Sequence, residues 1–510
     1  MNRNSEVLAL FLIACALAGP VQADEWFVRA GSFGAGTLDN PAGAIQYAIT
    51  YAEDGDTIKV AEGTYSQPLF IVGKALVIEG GWNATFSERV PERFISVVDW
   101  RPSYATTPAI SYVDAAGSLS GFTIKSNQSA IACFLHGASP SLVGNDLIQT
   151  DHNSIYCEEG SKPLITHNTM QGIYCLDSSP VISGNVITYV IRCDSSTPTI
   201  VGNTVSTGIR CMTGSFAVIT GNTITEPGGY GITLTNGSSG LVNQNMVTGC
   251  AIGIFCQWGS SPVIANNLVV ANGSLDPPGG GLFCTEGSAP WVIHNTFATN
   301  KAPYGGAIQC ESGGSPVVVD CILWGNAARN GNEIALRTNS TMTIRYCCVA
   351  GGRNAAYIES GGSLTWGPGN LDTDPLFAAP GDYHLKSAEG RWNPNANAGA
   401  GGWVLDTVTS PCINGGDPAS DWSKEPFPHG RRTNIGAYGN TAEASKAKWI
   451  LPADADGNSR VDVLDLLFIR NRLGQNAATG DNWQADVNED GKVNVLDLIF
   501  VRNRLGVSRP

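Results

Sequence analysis

The tripeptide Ile155-Tyr156-Cys157 returns as Ile173-Tyr174-Cys175, Ile191-Arg192-Cys193 and Ile209-Arg210-Cys211, with successive cysteines 18 residues apart. Copies at wider intervals are Ile131-Ala132-Cys133, Ile254-Phe255-Cys256, Leu282-Phe283-Cys284, Ile308-Gln309-Cys310 and, with Leu in place of Cys, Ile232-Thr233-Leu234. A second phrase follows each copy, and its asparagines are Asn145, Asn168, Asn185, Asn203, Asn222, Asn245, Asn267 and Asn295. Two interleaved ladders with one slightly elastic period indicate a repeat protein in which each repeat is one coil.

The period and the composition of these repeats predict the kind of coil. A turn of roughly 17 to 28 residues is too short for paired helices, and the segments are short β-branched runs separated by Gly, Ser, Pro and Asn. Strand alternation places Ile and Cys on one face and the middle residue on the other. Stacked turns of this kind form a parallel β-helix, with Cys as a small core residue and Asn hydrogen-bonded along the stack. We therefore predict an all-β protein built as a parallel β-helix.

The N-terminal residues 1–23 have the pattern of a secretory signal peptide. Arg3 supplies the positive charge, Val7–Leu17 is an apolar core, and Val21-Gln22-Ala23 is a small-residue cleavage site. The apolar core is too short to span a bilayer, and no other segment is a candidate membrane span. We expect a secreted, extracellular protein. Its net charge of −14 makes nucleic acid an improbable partner.

The remaining chain divides by composition into four parts. Residues 24–104 are the N-terminal cap and first turns, since Pro41–Glu53 has apolar residues at helical spacing that would cover the open end of the coil. Residues 105–350 are the repeats, in which Cys321 takes the place of a ladder asparagine. Residues 351–446 are set apart by their content of Gly, Asn, Pro and Trp, and we expect residues 447–510 to form a separate small domain.

The run Asp54–Tyr65 and the repeats after it resemble secreted bacterial pectate-lyase-like right-handed parallel β-helix proteins. Four later motifs resemble the closing segment of the same group: Asp374–Phe377, Asp382–Leu385, Ser410–Asn414 and Asn434–Tyr438. The resemblance covers roughly residues 24–445. It implies the fold and leaves the activity open, because the group includes lyases, hydrolases, epimerases and proteins without catalysis.

Two segments 32 residues apart carry oxygen ligands at the spacing of a calcium loop. The ligand positions 1, 3, 5, 7, 9 and 12, with position 7 acting through its backbone carbonyl, are Asp454, Asp456, Asn458, Arg460, Asp462 and Asp465, and Asp486, Asn488, Asp490, Lys492, Asn494 and Asp497. Each loop leads directly into an apolar helical pattern, with no entering helix. This arrangement resembles a type I dockerin domain and predicts two Ca²⁺ sites. Position 6 is Gly491 in the second loop but Ser459 in the first, so we expect the first site to be weaker.

The dockerin resemblance implies a cohesin-like partner, in two possible orientations because the halves are nearly identical. Positions 10 and 11 are Val463-Leu464 and Val495-Leu496, where small hydroxyl residues are usual in that family. This departure puts a cellulosomal partner in doubt and leaves a cell-surface or intrachain role open.

Outward-pointing residues of the Cys strands provide the candidate site on the β-helix. The row before Cys is Ala132, Tyr156, Tyr174, Arg192, Arg210, Thr233, Phe255, Phe283 and Gln309, and the row after it begins Phe134, Glu158, Leu176 and Asp194. Tyr156 and Tyr174 are candidate polysaccharide-binding residues because aromatic rings stack on sugars. Arg192 and Arg210 suit a lyase, which neutralises a uronate carboxylate. Glu158 and Asp194, roughly 10 Å apart by strand spacing, suit a hydrolase.

Two functions remain open at this point. One is a polysaccharide lyase or hydrolase, or a polysaccharide-binding protein, delivered by its dockerin-like tail; the other is a non-catalytic surface or matrix rod. A glycan enzyme should have the tyrosine–arginine strip recessed between long loops, whereas a rod would leave it flat. The thirteen cysteines beyond Cys15 are expected to be mostly buried free thiols, and any disulfides to come from Cys250, Cys321, Cys347, Cys348 and Cys412.

Overall fold

The computed structural model describes residues 23–101, 107–127, 131–148, 153–273, 279–447, 453–456, 458, 460–477, 480–488 and 490–507. The signal-peptide prediction and Ser459 therefore lie outside the described residues. The chain divides into two compact units, Met1–Val186 and Ile187–Pro510.

In the first unit each coil contributes one strand to each of three parallel sheets, named A, B and C here. The strands of sheet A are Glu25–Val28, Thr57–Ala61, Ala75–Trp82, Ala116–Ser120, Ser141–Val143, Leu164–Thr166 and Val181–Ser183. Those of sheet B are Gly63–Tyr65, Ser96–Asp99, Phe122–Lys125, Asp146–Ile148 and Thr169–Met170, with Val186–Ile187 at the unit boundary. Those of sheet C are Leu69–Val72, Ile110–Val113, Cys133–His136, Ile155–Glu158 and Ile173–Leu176.

The second unit has the same three-sheet coil. Its sheet A strands are Thr199–Val201, Phe216–Thr220, Ser239–Asn243, Val263–Ala265, Trp291–Ile293, Val317–Val319, Thr341–Arg345 and Ser363–Trp366. Its sheet B strands are Thr204–Val205, Thr223–Thr225, Met246–Thr248, Leu268–Val270, Thr296–Ala298, Ile322–Trp324 and Cys348–Val349. Its sheet C strands are Ile191–Asp194, Ile209–Met212, Tyr230–Leu234, Ile252–Cys256, Gly280–Cys284, Ile308–Cys310, Ile334–Leu336 and Tyr357–Ile358.

Shorter elements complete the described structure. Helix α1 (Ile45–Tyr51) buries Ile45, Ala48 and Ile49, as expected of a cap with one apolar face. Three two-stranded sheets pair Lys301–Tyr304 with Ala327–Asn330, Phe377–Ala379 with Asp382–Leu385, and Arg391–Asn393 with Gly402–Val404. The 3₁₀ helices are Arg353–Ala355, Asn397–Gly399 and Gly480–Ala485, and the C-terminal α-helices are α2 (Val463–Arg470) and α3 (Val495–Arg502).

The Ile and Cys of the repeated tripeptide point into the core, as predicted. Ile155 pairs with Ile173 and Cys157 with Cys175, and all four side chains are fully buried. On these two turns like residues stack in register, so each thiol packs against another small side chain.

For the first copy of the tripeptide, Ile131-Ala132-Cys133, the register predicted from the sequence is wrong. Cys133 pairs with Ile155, and Leu135 takes the position opposite Cys157, so the outward residues beside Tyr156 and Glu158 are Phe134 and His136. The predicted register is wrong by two residues. A shift of two preserves which face is buried, so the apolar pattern cannot distinguish the two registers.

The asparagine ladder forms continuous hydrogen-bonded stacks at one corner of the coil. In the first unit the Asn145 and Asn168 backbone N–H groups donate to the next asparagine's Oδ1 at 2.9 Å. In the second unit the same 2.9 Å bond links Asn203 through Asn295. Cys321 then replaces asparagine as predicted, and its Sγ accepts from the Asn295 N–H at 3.3 Å. Each buried corner N–H thus finds an acceptor on the neighbouring turn.

The residue before each ladder asparagine has a left-handed backbone. This explains the repeated Gly-Asn pairs, since Gly144, Gly184, Gly202 and Gly221 have φ between 60° and 66° at this corner. Glycine adopts this conformation without the Cβ clash that other residues suffer.

A second asparagine ladder in the second unit was not anticipated from the sequence. The Asn272 N–H donates to Asn300 Oδ1 at 3.0 Å, and the Asn300 N–H donates to Asn326 Oδ1 at 2.8 Å. The ladder ends on Glu333, whose Oε1 accepts from the Asn326 N–H at 3.2 Å. Burial raises the pKa of Glu333 to about 7. Among the residues described, this ladder has three asparagines, which are too few to show a period in the sequence.

The closing segment packs against the outward face of sheet B in the second unit. The Ala437 N–H donates to Thr296 Oγ1 at 3.0 Å, and the Gly436 N–H donates to the Asp320 carbonyl at 2.8 Å. Gly436 has φ +100°, and a Cβ here would lie 2.7 Å from Ile322 Cδ1. The backbone approaches the sheet this closely because position 436 has no side chain.

The C-terminal segment forms a small helical core with internal two-fold likeness. The Gly474 N–H donates to the Val493 carbonyl at 2.9 Å, and the Gly506 N–H donates to the Val461 carbonyl at 2.8 Å. Its buried core consists of Ala453, Ala455, Val461, Ile469, Ala477, Ala485, Val487, Val493 and Val501. The 3₁₀ helix Gly480–Ala485 precedes the second loop, where the sequence had indicated no entering helix. The structure differs from the prediction by this one short helix, whose sequence has no apolar residues at helical spacing.

Candidate functional site

In the first C-terminal loop the predicted ligands converge. Carboxylate oxygens of Asp454, Asp456 and Asp465 lie within 4.8 Å of one another. Asn458 Oδ1 accepts from the Arg460 N–H at 2.9 Å, which holds the loop in its turn. An all-oxygen set of this kind fits Ca²⁺, a hard cation.

The second loop repeats the same internal hydrogen bonds with near-identical lengths. Position 12 accepts from the position 3 N–H at 3.1 Å in both loops (Asp465 from Asp456, Asp497 from Asn488). Position 12 also accepts from the position 9 N–H at 2.8 Å in both (from Asp462 and from Asn494). The two loops therefore share the same backbone arrangement around position 12. Asp486, Asp490 and Lys492 occupy positions 1, 5 and 7, and Gly491 has φ +83° at the sharp turn.

Positions 9 and 12 also form a capping box at the start of each helix. Asp462 Oδ1 accepts from the Leu464 N–H, and Asn494 Oδ1 from the Leu496 N–H, both at 2.7 Å. Asp465 and Asp497 are fully buried, and burial raises the pKa of both carboxyl groups. A bound cation would compensate the buried charge, which makes helix formation and ion binding interdependent.

On the β-helix, the outward residues of the first unit form an aromatic stack. The Phe134 and Tyr156 rings are parallel at 5.8 Å, and the Tyr156 and Tyr174 rings meet edge to face at 5.1 Å. Glu158 Oε1 lies 3.0 Å from His136 Nδ1, and this hydrogen bond raises the pKa of His136. The structure therefore brings the two predicted tyrosines together but engages Glu158 in an ion pair.

In the second unit Arg192 and Arg210 lie side by side on adjacent strands, with 44% and 39% of their side chains exposed. Arg192 is paired with Asp194 at 2.8 Å. Arg210 is paired with Glu226 at 3.3 Å. Asp194 is largely buried beneath its partner, which does not suit a carboxylate that must reach a substrate or activate water.

Beyond Arg210 the outward row of the second unit is covered. Thr233, Phe255, Phe283 and Gln309 are all buried, although strand alternation directs them away from the core. Tyr230 packs over Phe255 at 5.2 Å, and Phe255 over Phe283 at 5.3 Å. The strip is thus neither uniformly flat nor uniformly recessed.

Glu226 is a candidate residue that the sequence analysis missed. It is buried, and burial raises its pKa to about 7 although Arg210 acts in the opposite direction. It lies in the segment Glu226-Pro227-Gly228-Gly229, which supplies four of the five residues by which the repeat from Cys211 to Leu234 exceeds the 18-residue repeats before it. The sequence could have indicated this residue, because it is acidic and lies in an extended loop of the repeat that contains Arg210.

Comparison with family models agrees with this architecture. Residues 118–309 match the periplasmic copper-binding protein (NosD) family, residues 276–367 match the right handed beta helix region, and residues 452–506 match the dockerin type I domain. The chain is a right-handed parallel β-helix with a C-terminal dockerin domain. No curated protein matches the sequence.

Solved structures with the same general fold share little sequence with the chain. A GH136 lacto-N-biosidase from Eubacterium ramulus is 12% identical with TM-score 0.31, covering 72% of this chain and 71% of that one. Pectate lyase Pel9A is 13% identical with TM-score 0.22, covering 82% and 97%. The A-module of the Azotobacter vinelandii mannuronan C-5 epimerase AlgE4 is 11% identical with TM-score 0.26, covering 68% and 100%.

The dockerin domain presents an apolar surface that is duplicated in its two halves. Val463 and Leu464 are 61% and 50% exposed, and their equivalents Val495 and Leu496 are 60% and 53% exposed. Helices α2 and α3 also line an open groove of about 370 Å³, formed by Leu466, Leu467, Arg470, Leu498, Ile499 and Arg502. Dockerin type I domains bind calcium, and the exposed face lies directly after each calcium loop. None of the helices among the described residues is long and apolar enough to cross a membrane.

Proposed function

We propose that the protein is exported and that its β-helix binds or processes a polysaccharide, while its dockerin domain binds two Ca²⁺ and attaches it to a cohesin-like partner. The two loops support two ions, because both have side-chain oxygens at positions 1, 3, 5, 9 and 12 and share the hydrogen bond from the position 3 N–H to position 12. Residues 24–104, 105–350, 351–446 and 447–510 remain the proposed domains, after a signal peptide over 1–23.

The observation that carries the polysaccharide proposal is the outward aromatic stack of Phe134, Tyr156 and Tyr174 in the first unit. Rings that repeat on successive turns offer stacking surfaces to successive sugars of an extended chain. Arg192 and Arg210 in the second unit are exposed cations suited to an acidic glycan.

The partner surface of the dockerin domain is proposed to be apolar. The exposed pairs Val463-Leu464 and Val495-Leu496 replace hydroxyl residues that would form hydrogen bonds. A partner selected by this face should therefore present a complementary apolar patch, in either of two orientations related by the duplication.

The alternative, a non-catalytic extracellular rod, is favoured by one specific observation. The described ion pairs engage each charged residue proposed for catalysis: Glu158 with His136, Arg192 with Asp194, and Arg210 with Glu226. Charges neutralised along the stack stabilise a solvated face without requiring any substrate.

A glycan panel assay in the presence of calcium tests these functions. Pectin, alginate, glycosaminoglycans and neutral glycans are incubated with the mature chain, and both unsaturated-product absorbance and new reducing ends are measured. Absorbance that is lost in Arg192→Ala/Arg210→Ala establishes a lyase. Reducing ends alone, lost in Glu158→Gln or Asp194→Asn, establish a hydrolase.

Affinity measurements separate binding from catalysis. If both assays are silent, retention on a glycan column that Tyr156→Ala/Tyr174→Ala abolishes supports a binding protein. Phe33→Ala is the control, because Phe33 is a fully exposed aromatic residue outside the stack. No activity and no retention on any glycan would overturn the polysaccharide proposal and leave the rod.

A further inference from the structure

Two cysteines meet where the closing segment packs against the last coil. Cys348 is in the final strand of sheet B, and Cys412 lies in the turn that follows Ser410 and Pro411. Both side chains are fully buried in one cluster with Ile322, Leu385 and Ile435. The two residues therefore connect the β-helix body to the segment that covers it.

The two thiols are direct neighbours. The Cys412 and Cys348 side chains belong to the same buried cluster, and Cys348 Sγ donates to the Thr373 carbonyl at 3.1 Å. Interaction with the Cys348 side chain and burial raise the pKa of the Cys412 thiol well above its ordinary value. The thiolate is the reactive form of cysteine, so burial of this kind protects the packed pair from exchange with outside thiols.

We propose that Cys348 and Cys412 form a disulfide bond in the mature exported protein, fastening the closing segment to the last coil. The two thiols lose two protons and two electrons, which a disulfide oxidant such as oxidised glutathione accepts. One thiolate attacks the oxidant to give a mixed disulfide and releases one thiol. The second cysteine then displaces the remaining thiol, leaving the intramolecular bond.

The geometry distinguishes this pair from the stacked ladder cysteines. Cys157 and Cys175 lie on in-register parallel strands, as do Cys256 and Cys284. Such strands hold the two Cα–Cβ bonds nearly parallel, which opposes the dihedral angle near 90° that a disulfide requires. Cys412 lies in a turn, so no ladder fixes its orientation relative to Cys348.

The bond would close a loop of about 65 residues, counted from position 348 to position 412. A cross-link over a long loop restricts the unfolded chain and so favours the folded state. It would hold the segment whose Ile435, Gly436 and Ala437 cover the outward face of sheet B. Reduction should consequently loosen the closing segment without disturbing the asparagine ladders.

Peptide mapping of the full mature chain tests the bond directly. The protein is folded in a buffer of reduced and oxidised glutathione, alkylated without reduction and digested with trypsin. The expected product joins peptide 346–353 to peptide 392–424, with two hydrogens fewer than the separate peptides. Because Cys347 shares the first peptide with Cys348, Cys347→Ser serves as the matched control and should retain the link.

Stability measurements supply a second readout. Dithiothreitol should lower the Tm of the oxidised wild type by several degrees, whereas Cys348→Ser/Cys412→Ser should show no response to the reductant. Alkylated thiols at both positions in the oxidised wild type would overturn the proposal, and that result does not require any variant to fold. A link that persists in Cys348→Ser would reassign the bond to Cys347 and equally overturn it.

Discussion

Single carboxylates at position 12 of the calcium loops have two structural roles. Asp465 and Asp497 are ligand candidates and also accept backbone hydrogen bonds from positions 3 and 9 of their own loops. If the same buried side chain also binds the proposed ion, ion binding and local folding depend on one residue in each half.

Asp465→Ala and Asp497→Ala should each reduce Ca²⁺ binding from two ions to one per chain, as measured by isothermal titration calorimetry. Arg460→Ala and Lys492→Ala should leave two ions bound, because position 7 contributes a backbone carbonyl that survives the substitution. An unchanged stoichiometry in both aspartate variants would contradict the proposed ligand set.

Glu226 should make stability depend on pH in a predictable direction. Its pKa is raised to about 7 from an ordinary value of 4.5, so its contribution to stability is fully present below pH 4.5 and is lost as pH rises to about 7. The wild type should therefore lose stability relative to Glu226→Gln as pH rises over this range. The loss in the free energy of unfolding should be about 2 to 3 kcal/mol, seen as a fall in the wild-type Tm relative to that of the variant.

Thermal scans from pH 4.5 to 8 measure this difference, and comparison with the Gln variant cancels the titration of other buried acids. A constant Tm difference across the range would show that burial does not perturb the Glu226 carboxyl group.

At the scale of the structural element, the asparagine ladders join one coil to the next through buried side chains. Asn245 accepts from the Asn222 N–H at 2.9 Å and donates through Nδ2 to the Ile219 carbonyl and to Asn267 Oδ1, both at 2.9 Å. Its removal leaves backbone groups of neighbouring coils without partners in a region closed to water.

Asn245→Ala should destabilise the protein by about 2 to 4 kcal/mol because several buried hydrogen bonds are lost at once. Asn243→Ala is the matched control two residues away. Among the described residues, the Asn243 side chain makes one hydrogen bond, to Gln244 Oε1 at 3.4 Å. Urea denaturation compares the two variants. Equal midpoints would show that the ladder does not stabilise the coil stack.

At the scale of the whole molecule, the dockerin domain and the β-helix depend on different interactions. The dockerin domain has a small core of mostly alanine and valine side chains. The β-helix is stabilised by its stacked hydrogen-bond ladders and fully buried Ile and Cys residues. A ligand that binds only the folded form stabilises only the domain that contains its site.

Chelation of Ca²⁺ by EGTA should lower the melting temperature of the dockerin transition and leave that of the β-helix unchanged. Differential scanning calorimetry with and without the chelator measures both transitions. If the chain instead melts in a single transition that the chelator shifts as a whole, Ca²⁺ does not stabilise the dockerin domain independently of the β-helix.

The sequence by itself determined the coil, the inward Ile and Cys, the Asn stack and the C-terminal dockerin domain. Each is a local pattern, so periodicity or ligand spacing is enough to predict it. The register of Cys133 could not be predicted from such a pattern, because a shift of two residues leaves the same face of the strand buried.

Only the tertiary structure decided the features that join distant residues. The contact of Cys348 with Cys412, the docking of Ala437 on Thr296 and the pairing of Arg210 with Glu226 arise from loops outside the repeat. No period or spacing records such contacts, because loop length and direction set them. The physical reason is that a repeat fixes the neighbours of each coil residue in advance, whereas an insertion or closing segment finds its partners only when the chain packs.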